Sequence, residues 1–389
     1  MRKFVPITKD KFADFCQHLK QKNIDAYLIW DMEGNRNANL KYLSGHPEDA
    51  ILIVFADGHK VLIPWDTILA KKLSKVDSVV NFKKFGKSYF GAAKLILQEK
   101  LGKEFTLEVE SNISYLTLQF WKKILKPAKV KVLKPNNNSA NSYLRKLRMI
   151  KTAKEIEYLK KACQITTQVV GDIEEFLNQN KSKKILTEIE LAVFAENKIR
   201  ERGGDGISFE TLVACPKRSW SIHTYPRAGQ GNLNQPGLSL IDFGASYHGY
   251  CADMTVPFAM KKLTKHQKQM VEVVEKAQYE AIQNIREGVF GYEVAQKADK
   301  IIRDAHMNMP HGLGHGLGLE THDPGRLSLK PEDPNLLKNW NPIKLQKNMV
   351  LTVEPGVYSQ KHGGCRLEDD ILVTANGCQI LTSSRFITV

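Results

Sequence analysis

The feature that most constrains the fold is a hairpin pattern, found twice in the C-terminal half, that carries two acidic residues each time. In the first hairpin, Asp242 and Asp253 lie in apolar stretches on either side of a turn at 246–249. A turn centred between Tyr247 and His248 would place the two aspartates opposite each other, with both carboxylates on one face of the sheet. Because opposed like charges destabilise a sheet, a bound cation is the simplest compensation.

The second hairpin repeats this arrangement close to the C-terminus. Glu354 and Glu368 flank the turn signal His-Gly-Gly at 362–364, and a turn centred near Lys361 brings the two glutamates across from each other. Pro355 follows Glu354 and favours an extended conformation there. Two separate hairpins are therefore predicted to present a pair of acids each.

A histidine-rich and glycine-rich segment lies between the two hairpins. It contains His311, His315 and His322, interleaved with four glycines that allow the backbone to pass close to a bulky centre. The glycines do not form a nucleotide-binding loop, since no strand-to-helix phosphate turn is predicted around them. Four carboxylates and one imidazole, that of His315, suit two adjacent divalent ions such as Mn²⁺, Co²⁺ or Zn²⁺.

Each of these elements has an ordinary structural explanation when it is taken alone. An aspartate after a strand is usually a turn residue, a single histidine is usually part of a core or surface, and a glutamate before Pro-Gly usually ends a strand. These explanations must all hold together in one region of the chain, whereas one metal site accounts for all of them. The combination therefore favours a metal site.

Length and pattern predict two domains. At 389 residues the chain exceeds what one core usually supports. An α/β domain is expected over 1–135, and a polar, proline-containing linker over 134–142. Its predicted elements are a helix at 9–23, strands at 26–30, 50–55, 59–64, 105–109 and 130–133, and a hairpin turn at Asp57-Gly58.

The region after the linker has an α+β pattern over 143–389. One long helix is expected over 143–178 and a second over 188–202, and hairpins then alternate with helices near 265–286 and 291–305. The two acidic hairpins indicate a coarse duplication, since each half of this region supplies one of them.

Composition limits the classes of function. The net charge of +15 comes mostly from lysines spread along the chain, which favours solvated faces over a nucleic-acid site. Six scattered cysteines without a CxxC pair argue for a reducing compartment. No stretch is suited to a signal peptide or long enough to span a bilayer, so a cytoplasmic protein that binds neither membrane nor nucleic acid is expected.

Four segments resemble the signatures of a known family. The segments LIDFGASYHGYCAD, HGLGHGLGLETHD, LTVEPGVY and GGCRLEDDILVT are similar, in order and spacing, to those of the metallopeptidases that include methionine aminopeptidase, prolidase and aminopeptidase P. The resemblance covers roughly 143–385. The first 135 residues resemble the extra domain of the creatinase/prolidase/aminopeptidase P branch, which methionine aminopeptidases lack.

The resemblance implies a pita-bread fold for the C-terminal domain, with two pseudo-symmetric halves around a metal pair. It also implies which residue holds which ion. Asp242 would bind one ion, Asp253 and Glu368 would bridge the two, and His315 and Glu354 would bind the other.

Further positions match the family near its site. His322 falls where the family keeps a non-ligand histidine that contacts the substrate, and His223 resembles the histidine of the segment that precedes the first acidic hairpin. Both would hydrogen-bond the developing tetrahedral intermediate or the neighbouring amide. His311 and Tyr358 are expected to bind substrate. Arg366 could orient Glu368 or bind a substrate carboxylate, and a salt bridge with a neighbouring acid is an equally good interpretation.

The implied function is that of a metal-dependent Xaa-Pro peptidase, of the prolidase or aminopeptidase P type. Water activated by two metals, most simply Mn²⁺, would attack the bond before a proline at the second position, with Glu354 as general base. A homodimer is expected from the family. The alternatives are a metal-dependent hydrolase of a small non-peptide C–N substrate on the same fold and a non-catalytic binding homologue.

Two departures from the family pattern bear on the substrate pocket. The family often has Asp-x-Thr-Arg-Thr, whereas this chain reads Asp-Met-Thr-Val-Pro from Asp253 onward. The stretch 325–344 is longer and more polar than the usual connection and is expected to be a loop beside the cleft.

Overall fold

The computed structural model describes residues 4, 6–32, 36–133 and 139–389. The chain divides into two compact units, Met1–Leu147 and Arg148–Val389. The division falls within one helix, so the linker expected over 134–142 is wrong for 140–142. Residues 134–138 of that linker lie outside the described residues.

The first unit is built on a six-stranded mixed sheet with strand order β4-β3-β2-β1-β5-β6. Its strands are β1 (Ala26–Asp31), β2 (Ala50–Phe55), β3 (Lys60–Pro64), β4 (Ser78–Val79), β5 (Thr106–Val109) and β6 (Lys129–Lys131). Strand β1 pairs antiparallel with β2 and parallel with β5. The hairpin expected around Asp57-Gly58 is confirmed, with β2 and β3 antiparallel and Gly58 at a φ of 97°.

Among the described residues of the first unit, five helices and one 3₁₀ turn precede the helix in which the chain divides. They are α1 (Lys9–Gln21), α2 (Ala38–Ser44), α3 (Thr67–Leu73), the 3₁₀ turn Phe82–Lys84, α4 (Tyr89–Leu101) and α5 (Tyr115–Ile124). The sheet contributes a continuous apolar layer because its central strands are buried on both faces. Leu28, Ile53 and Leu107 from three strands pack with Trp121 of α5 in this core.

Two helices are present where one was expected over 143–178. Helix α6 (Ala140–Met149), which contains the division between the units, ends before α7 (Ala153–Asn180) begins. Thr152 separates them through a capping box: its hydroxyl accepts from the N–H of Glu155, whose carboxylate accepts from the N–H of Thr152. This motif fixes a new helix start, so continuous helical spacing of the apolar residues does not produce a continuous helix.

The remaining elements of the second unit form two halves with similar content. The helices are α8 (Glu188–Glu201), α9 (Lys265–Gln283), α10 (Gly291–Asp304) and α11 (Pro334–Leu337). The strands are β7 (Gly206–Ile207), β8 (Leu212–Ala214), β9 (Ser239–Phe243), β10 (Ala245–Tyr247), β11 (Tyr250–Cys251), β12 (Met254–Ala259), β13 (Gly314–Gly316), β14 (Asp323–Leu327), β15 (Val350–Val353), β16 (Gly356–Ser359), β17 (Gly363–Arg366), β18 (Asp369–Val373), β19 (Cys378–Ile380) and β20 (Ile387–Thr388).

Each half packs two helices against one sheet. In the first half, α7 and α8 cover the sheet β20-β12-β9-β8, and Ile165, Val169 and Ile173 of α7 are buried in that core at helical spacing. In the second half, α9 and α10 cover the sheet β14-β13-β15-β18-β19. The duplication expected from the two hairpins is therefore present in the architecture.

One more sequence expectation concerns the second unit. The stretch expected as a loop over 325–344 starts inside β14 and contains the short helix α11, so that prediction is wrong at these points. No helix within the described part of the chain is long and apolar enough to cross a membrane.

A buried acid in the first unit makes its stability depend on pH. Glu108 of β5 is 1% exposed, and burial raises its pKa to about 7 although the N–H of Ala140 donates to its Oε1 at 2.8 Å. The folded protein therefore takes up a proton that the unfolded chain, with a pKa near 4.5, would not hold above that pH. This contribution to stability is complete below about pH 4.5 and is lost as the pH rises through about 7.

We expect Glu108→Gln to remove this dependence. In urea unfolding, the free energy of unfolding of the wild type should fall relative to that of the variant by about 2 kcal/mol between pH 5 and pH 8, because the amide does not ionise. Glu104→Gln, a change at an exposed site in the same unit, should keep the wild-type profile. Parallel profiles for the wild type and Glu108→Gln would contradict the assignment.

Candidate metal centre

The first acidic hairpin has a register that differs from the expected one by two residues. Strands β9 and β12 pair Asp242 with Thr255, not with Asp253. The cause is the two-residue turn His248-Gly249, in which both residues have positive φ, 52° and 80°. Since side chains alternate along a strand, a shift of two leaves Asp253 on the same face as Asp242, at a diagonal position.

The second hairpin has the predicted register. Val353 pairs with Asp369 in one ladder and Gly356 pairs with Arg366 in the next, so Glu354 and Glu368 lie opposite each other at the step between the two ladders. Two-residue periodicity and the glycine turn were sufficient to predict this placement.

The structure brings four of the five expected ligands together. One donor atom each of Asp253, His315 and Glu368 lies within 4.8 Å of the others. His315 Nε2 is 3.7 Å from Asp253 Oδ2 and 3.4 Å from Glu354 Oε1. These side chains come from the first hairpin, from β13 and from the second hairpin, so both halves of the unit contribute.

The protonation state of His315 is the one expected of a metal ligand. Its Nδ1 lies 3.1 Å from the carbonyl oxygen of Gly316, an acceptor, so Nδ1 carries the proton and Nε2 presents its lone pair to the acids. Burial lowers the pKa of His315 to about 4, which keeps the imidazole neutral at physiological pH. A neutral imidazole held by its other nitrogen is the usual form of a histidine ligand.

The carboxylates are crowded and buried. Burial, followed by the charges of neighbouring acids, raises the pKa of Asp253 and of Glu368 well above the usual range. Burial raises the pKa of Glu354 to about 8. Such a cluster is stable only if protons or cations neutralise it, and an oxygen-rich set with one imidazole fits hard or borderline divalent ions.

Asp242 is tied to this cluster through Arg366. Its Oδ2 accepts from Arg366 Nη2 at 2.5 Å, whereas its Oδ1 is buried and has no hydrogen-bond partner among the described residues. A buried carboxylate oxygen left open next to other acids is where a cation would be expected. The residues present therefore fit the two-metal arrangement that the sequence predicted.

Arg366 is a structural cation in this arrangement. It is 2% exposed and donates to Thr255 Oγ1 at 2.9 Å, to Tyr358 Oη at 2.9 Å and to the carbonyl of Ile222 at 3.2 Å, besides Asp242. Of the three interpretations of Arg366, the salt bridge with a neighbouring acid is the one that the structure contains. Arg366 is linked to Glu368 by a chain of hydrogen bonds through Thr255, and its charge also opposes the rise in the pKa of Glu368 that burial causes.

Two threonines that sequence reasoning missed support the acids. Thr255 Oγ1 donates to Glu368 Oε2 at 2.7 Å. Thr352 Oγ1 accepts from the N–H of His315 at 3.0 Å and lies 3.3 Å from Glu354 Oε1. Each threonine lies two residues from an acid in the same segment, so the period of two along a strand could have identified them.

The other predicted site residues surround the cluster. The ring of His322 meets that of His315 edge to face at a centroid distance of 4.1 Å, and His322 is exposed. His311 Nε2 lies 3.0 Å from Tyr358 Oη, and burial lowers the pKa of His311 to about 4. His223 is exposed and follows Ile222, whose carbonyl binds Arg366.

Arg326 is a further candidate that the sequence did not reveal. It is the antiparallel partner of His315, so the two side chains emerge on the same face of the sheet. Arg326 is exposed, and its side chain makes no hydrogen bond or ion pair within the described residues. A register shift next to His315 creates this pairing, and such an irregularity leaves no clear signal in the sequence.

Comparisons with known proteins agree with this geometry. Residues 157–375 match the model of metallopeptidase family M24, and residues 13–150 match that of the creatinase/prolidase N-terminal domain. The chain therefore belongs to metallopeptidase family M24 and is a peptidase. Its second unit has the pita-bread fold, as the four sequence segments indicated, and its first unit has the creatinase-type fold, as the resemblance of the first 135 residues indicated.

Similar proteins match over nearly the whole chain. An Xaa-Pro dipeptidase from Pyrococcus furiosus is 29% identical over 381 residues, covering 97% of this chain and 98% of the relative. The solved structure of an X-Pro aminopeptidase from Thermotoga maritima has a TM-score of 0.81 at 26% identity, covering 97% and 99% of the two chains. A prolidase structure from Pyrococcus furiosus has a TM-score of 0.78 at 28% identity, covering 95% and 99%.

We expect Asp253→Asn and Glu368→Gln to lose peptidase activity by more than about a hundredfold, above the loss typical of residues that only support a ligand. Neither amide adds charge to the crowded cluster, so the metal-free variants should melt no lower than the metal-free wild type at pH 8. Asp304→Asn, at an exposed position, is the control and should retain activity. Activity near the wild-type value in Asp253→Asn or Glu368→Gln would contradict the metal-ligand assignment.

Proposed function

We propose that the protein is a metal-dependent Xaa-Pro peptidase that hydrolyses the peptide bond before proline with water activated by two metal ions. The observation that carries the proposal is the convergence of Asp253, Glu354 and Glu368 on a neutral His315. The similarity to Xaa-Pro dipeptidases over 97% of the chain supports the choice of substrate.

The ligands would be divided as the sequence analysis implies. Asp242 would hold one ion, His315 and Glu354 the other, and Asp253 and Glu368 would bridge them. When bound, the ions would lower the pKa of a water molecule and polarise the scissile carbonyl. Manganese is the ion that we propose, because four of the five ligands are carboxylates.

Glu354 is the residue that we propose as proton acceptor. Its Oε1 lies at the edge of the cluster, 3.4 Å from His315 Nε2, and the hydroxyl of Thr352 holds it at 3.3 Å. A carboxylate at this place can take a proton from the attacking water and later transfer it to the leaving amine.

His322 and His223 would stabilise the charge that develops on the substrate. Both are exposed, and His322 is in ring contact with His315. Partial desolvation of the ring, followed by the charge of Arg366, lowers the pKa of His223, which favours the neutral imidazole that can donate from one nitrogen. His311 and Tyr358 are hydrogen-bonded to each other, so we propose that they contact the substrate together, as one polar pair.

Arg326 would give the site its preference for substrate length. An exposed guanidinium beside His315, without an acidic partner in the described part of the chain, suits the C-terminal carboxylate of a dipeptide. A longer peptide has no carboxylate at that distance from the scissile bond. This observation favours the dipeptidase type over the aminopeptidase P type.

We expect Arg326→Gln to discriminate between these types. Because a hydrogen bond to a charged group contributes about 1.5–3 kcal/mol, kcat/KM for Ala-Pro should fall about tenfold or more. With Ala-Pro amide, which lacks the carboxylate, kcat/KM should change less than about threefold, and Arg326→Lys should lie between. An equal fall in kcat/KM on both substrates would show that Arg326 does not bind the substrate carboxylate.

Removal and return of metal tests the reaction class. Hydrolysis of Ala-Pro should stop after chelation and return when Mn²⁺, Co²⁺ or Zn²⁺ is added, and Ala-Pro-Ala should be the poorer substrate. Creatine and ectoine test the alternative of a small C–N substrate. Turnover of either compound but not of peptides would favour that alternative, and no turnover in the metal-loaded protein would favour a binding homologue.

The remaining parts of the proposal are less closely tied to the site. All six cysteines are free thiols, which supports a cytoplasmic location. A homodimer follows from the family resemblance alone. The assignment of 1–135 and 143–389 as the two functional domains also stays a proposal, as does the absence of nucleic-acid and membrane partners.

A further inference from the structure

A break in the hairpin leaves the backbone of one metal-binding residue outside the strand ladder. Strand β11 ends at Cys251 and β12 begins at Met254, so Asp253 lies between them. The two sides of the hairpin come so close here that a Cβ on Gly244 would lie 1.8 Å from the carbonyl oxygen of Ala252. An irregularity of this kind sets the direction of the side chain, here that of Asp253, but other groups must hold the backbone because the ladder hydrogen bonds are interrupted.

The N–H of Asp253 is held by a buried acid from the second half. It donates to Asp370 Oδ2 at 3.0 Å, across 117 positions of sequence. The same oxygen accepts from Cys163 Sγ of α7 at 3.3 Å. Asp370 is fully buried and lies on β18 opposite Thr352, the residue that supports Glu354.

The buried carboxyl group of Asp370 is energetically unfavourable for a residue with a purely structural role. Its Oδ1 is buried and has no hydrogen-bond partner among the residues that the structure describes. Burying a carboxyl group with one oxygen unpaired destabilises a fold, and a smaller polar residue would avoid that cost. Such an unsatisfied group calls for an explanation, which its bond to the backbone of Asp253 provides.

The adjacent acid has a different set of partners. Asp369 is also buried, but its carboxylate accepts from Thr382, Ser384 and Gln278, at 2.7–3.1 Å, and so fastens the C-terminal segment to α9. Its bonds do not reach Asp253. The chain therefore offers two neighbouring buried acids, of which one bonds a metal-binding residue and the other does not.

We propose that Asp370 is a positioning residue that sets the metal affinity of the site by fixing the backbone of Asp253. It acts through the hydrogen bond from the Asp253 N–H and does not touch the ion. The inference rests on the metal-binding part of the proposed function. It predicts that an acceptor oxygen at this position matters, whereas its negative charge does not.

The test is a Co²⁺ titration of the metal-free protein, followed by visible absorption with competition from a chelator of known affinity. Asp370→Ala should bind Co²⁺ about ten- to a hundredfold more weakly than wild type, as expected when the support of a ligand is lost. Asp370→Asn keeps an acceptor oxygen and should stay within about threefold. Asp369→Asn, the matched control, should melt at a lower temperature but bind Co²⁺ like the wild type.

The outcomes separate the inference from the proposed function. Unchanged Co²⁺ affinity and spectrum in Asp370→Ala would overturn the inference. If Asp370→Ala does not fold, Asp370→Asn decides: a loss of tenfold or more in the folded Asn variant would overturn it, and near-wild-type affinity would support it. A wild-type protein that binds no Co²⁺ would overturn the proposed function together with the inference.

Discussion

Burial of like charge is the constraint on which the second unit depends. Asp253, Glu354 and Glu368 converge on His315 where solvent reaches them only in part, and this burial raises the pKa values of all three acids. Isolated, such a cluster would drive the strands apart. The protein meets this with one buried arginine, two threonine hydroxyls and, in the proposed function, a pair of cations.

The site has a buried floor and an exposed rim. The floor consists of the acids, Arg366 and Thr255, in which Arg366 bonds Asp242 and Thr255, and Thr255 bonds Glu368. The rim consists of His322, His223 and Arg326, which are exposed. Chemistry that any substrate needs would therefore reside in the floor, while the choice of substrate would reside in the rim, where side chains can change without disturbing buried charges.

The sequence predicted those parts of the site that follow from strand periodicity and turn signals. It placed Glu354 opposite Glu368 correctly, because a glycine turn fixed the register. It missed the register of Asp242 by two residues, because whether His248 adopts a positive φ cannot be read from its identity. Contacts such as that between Asp370 and the Asp253 backbone depend on packing of distant segments, and no local pattern encodes them.

The two halves of the second unit are alike in architecture but differ at the point where they meet the metal site. One hairpin places its acids at staggered positions, since Asp242 pairs with Thr255 and not with Asp253, whereas the other places Glu354 and Glu368 opposite each other. If the halves arose by duplication, they are no longer interchangeable, because two copies of either hairpin would not reproduce this unequal arrangement of acids.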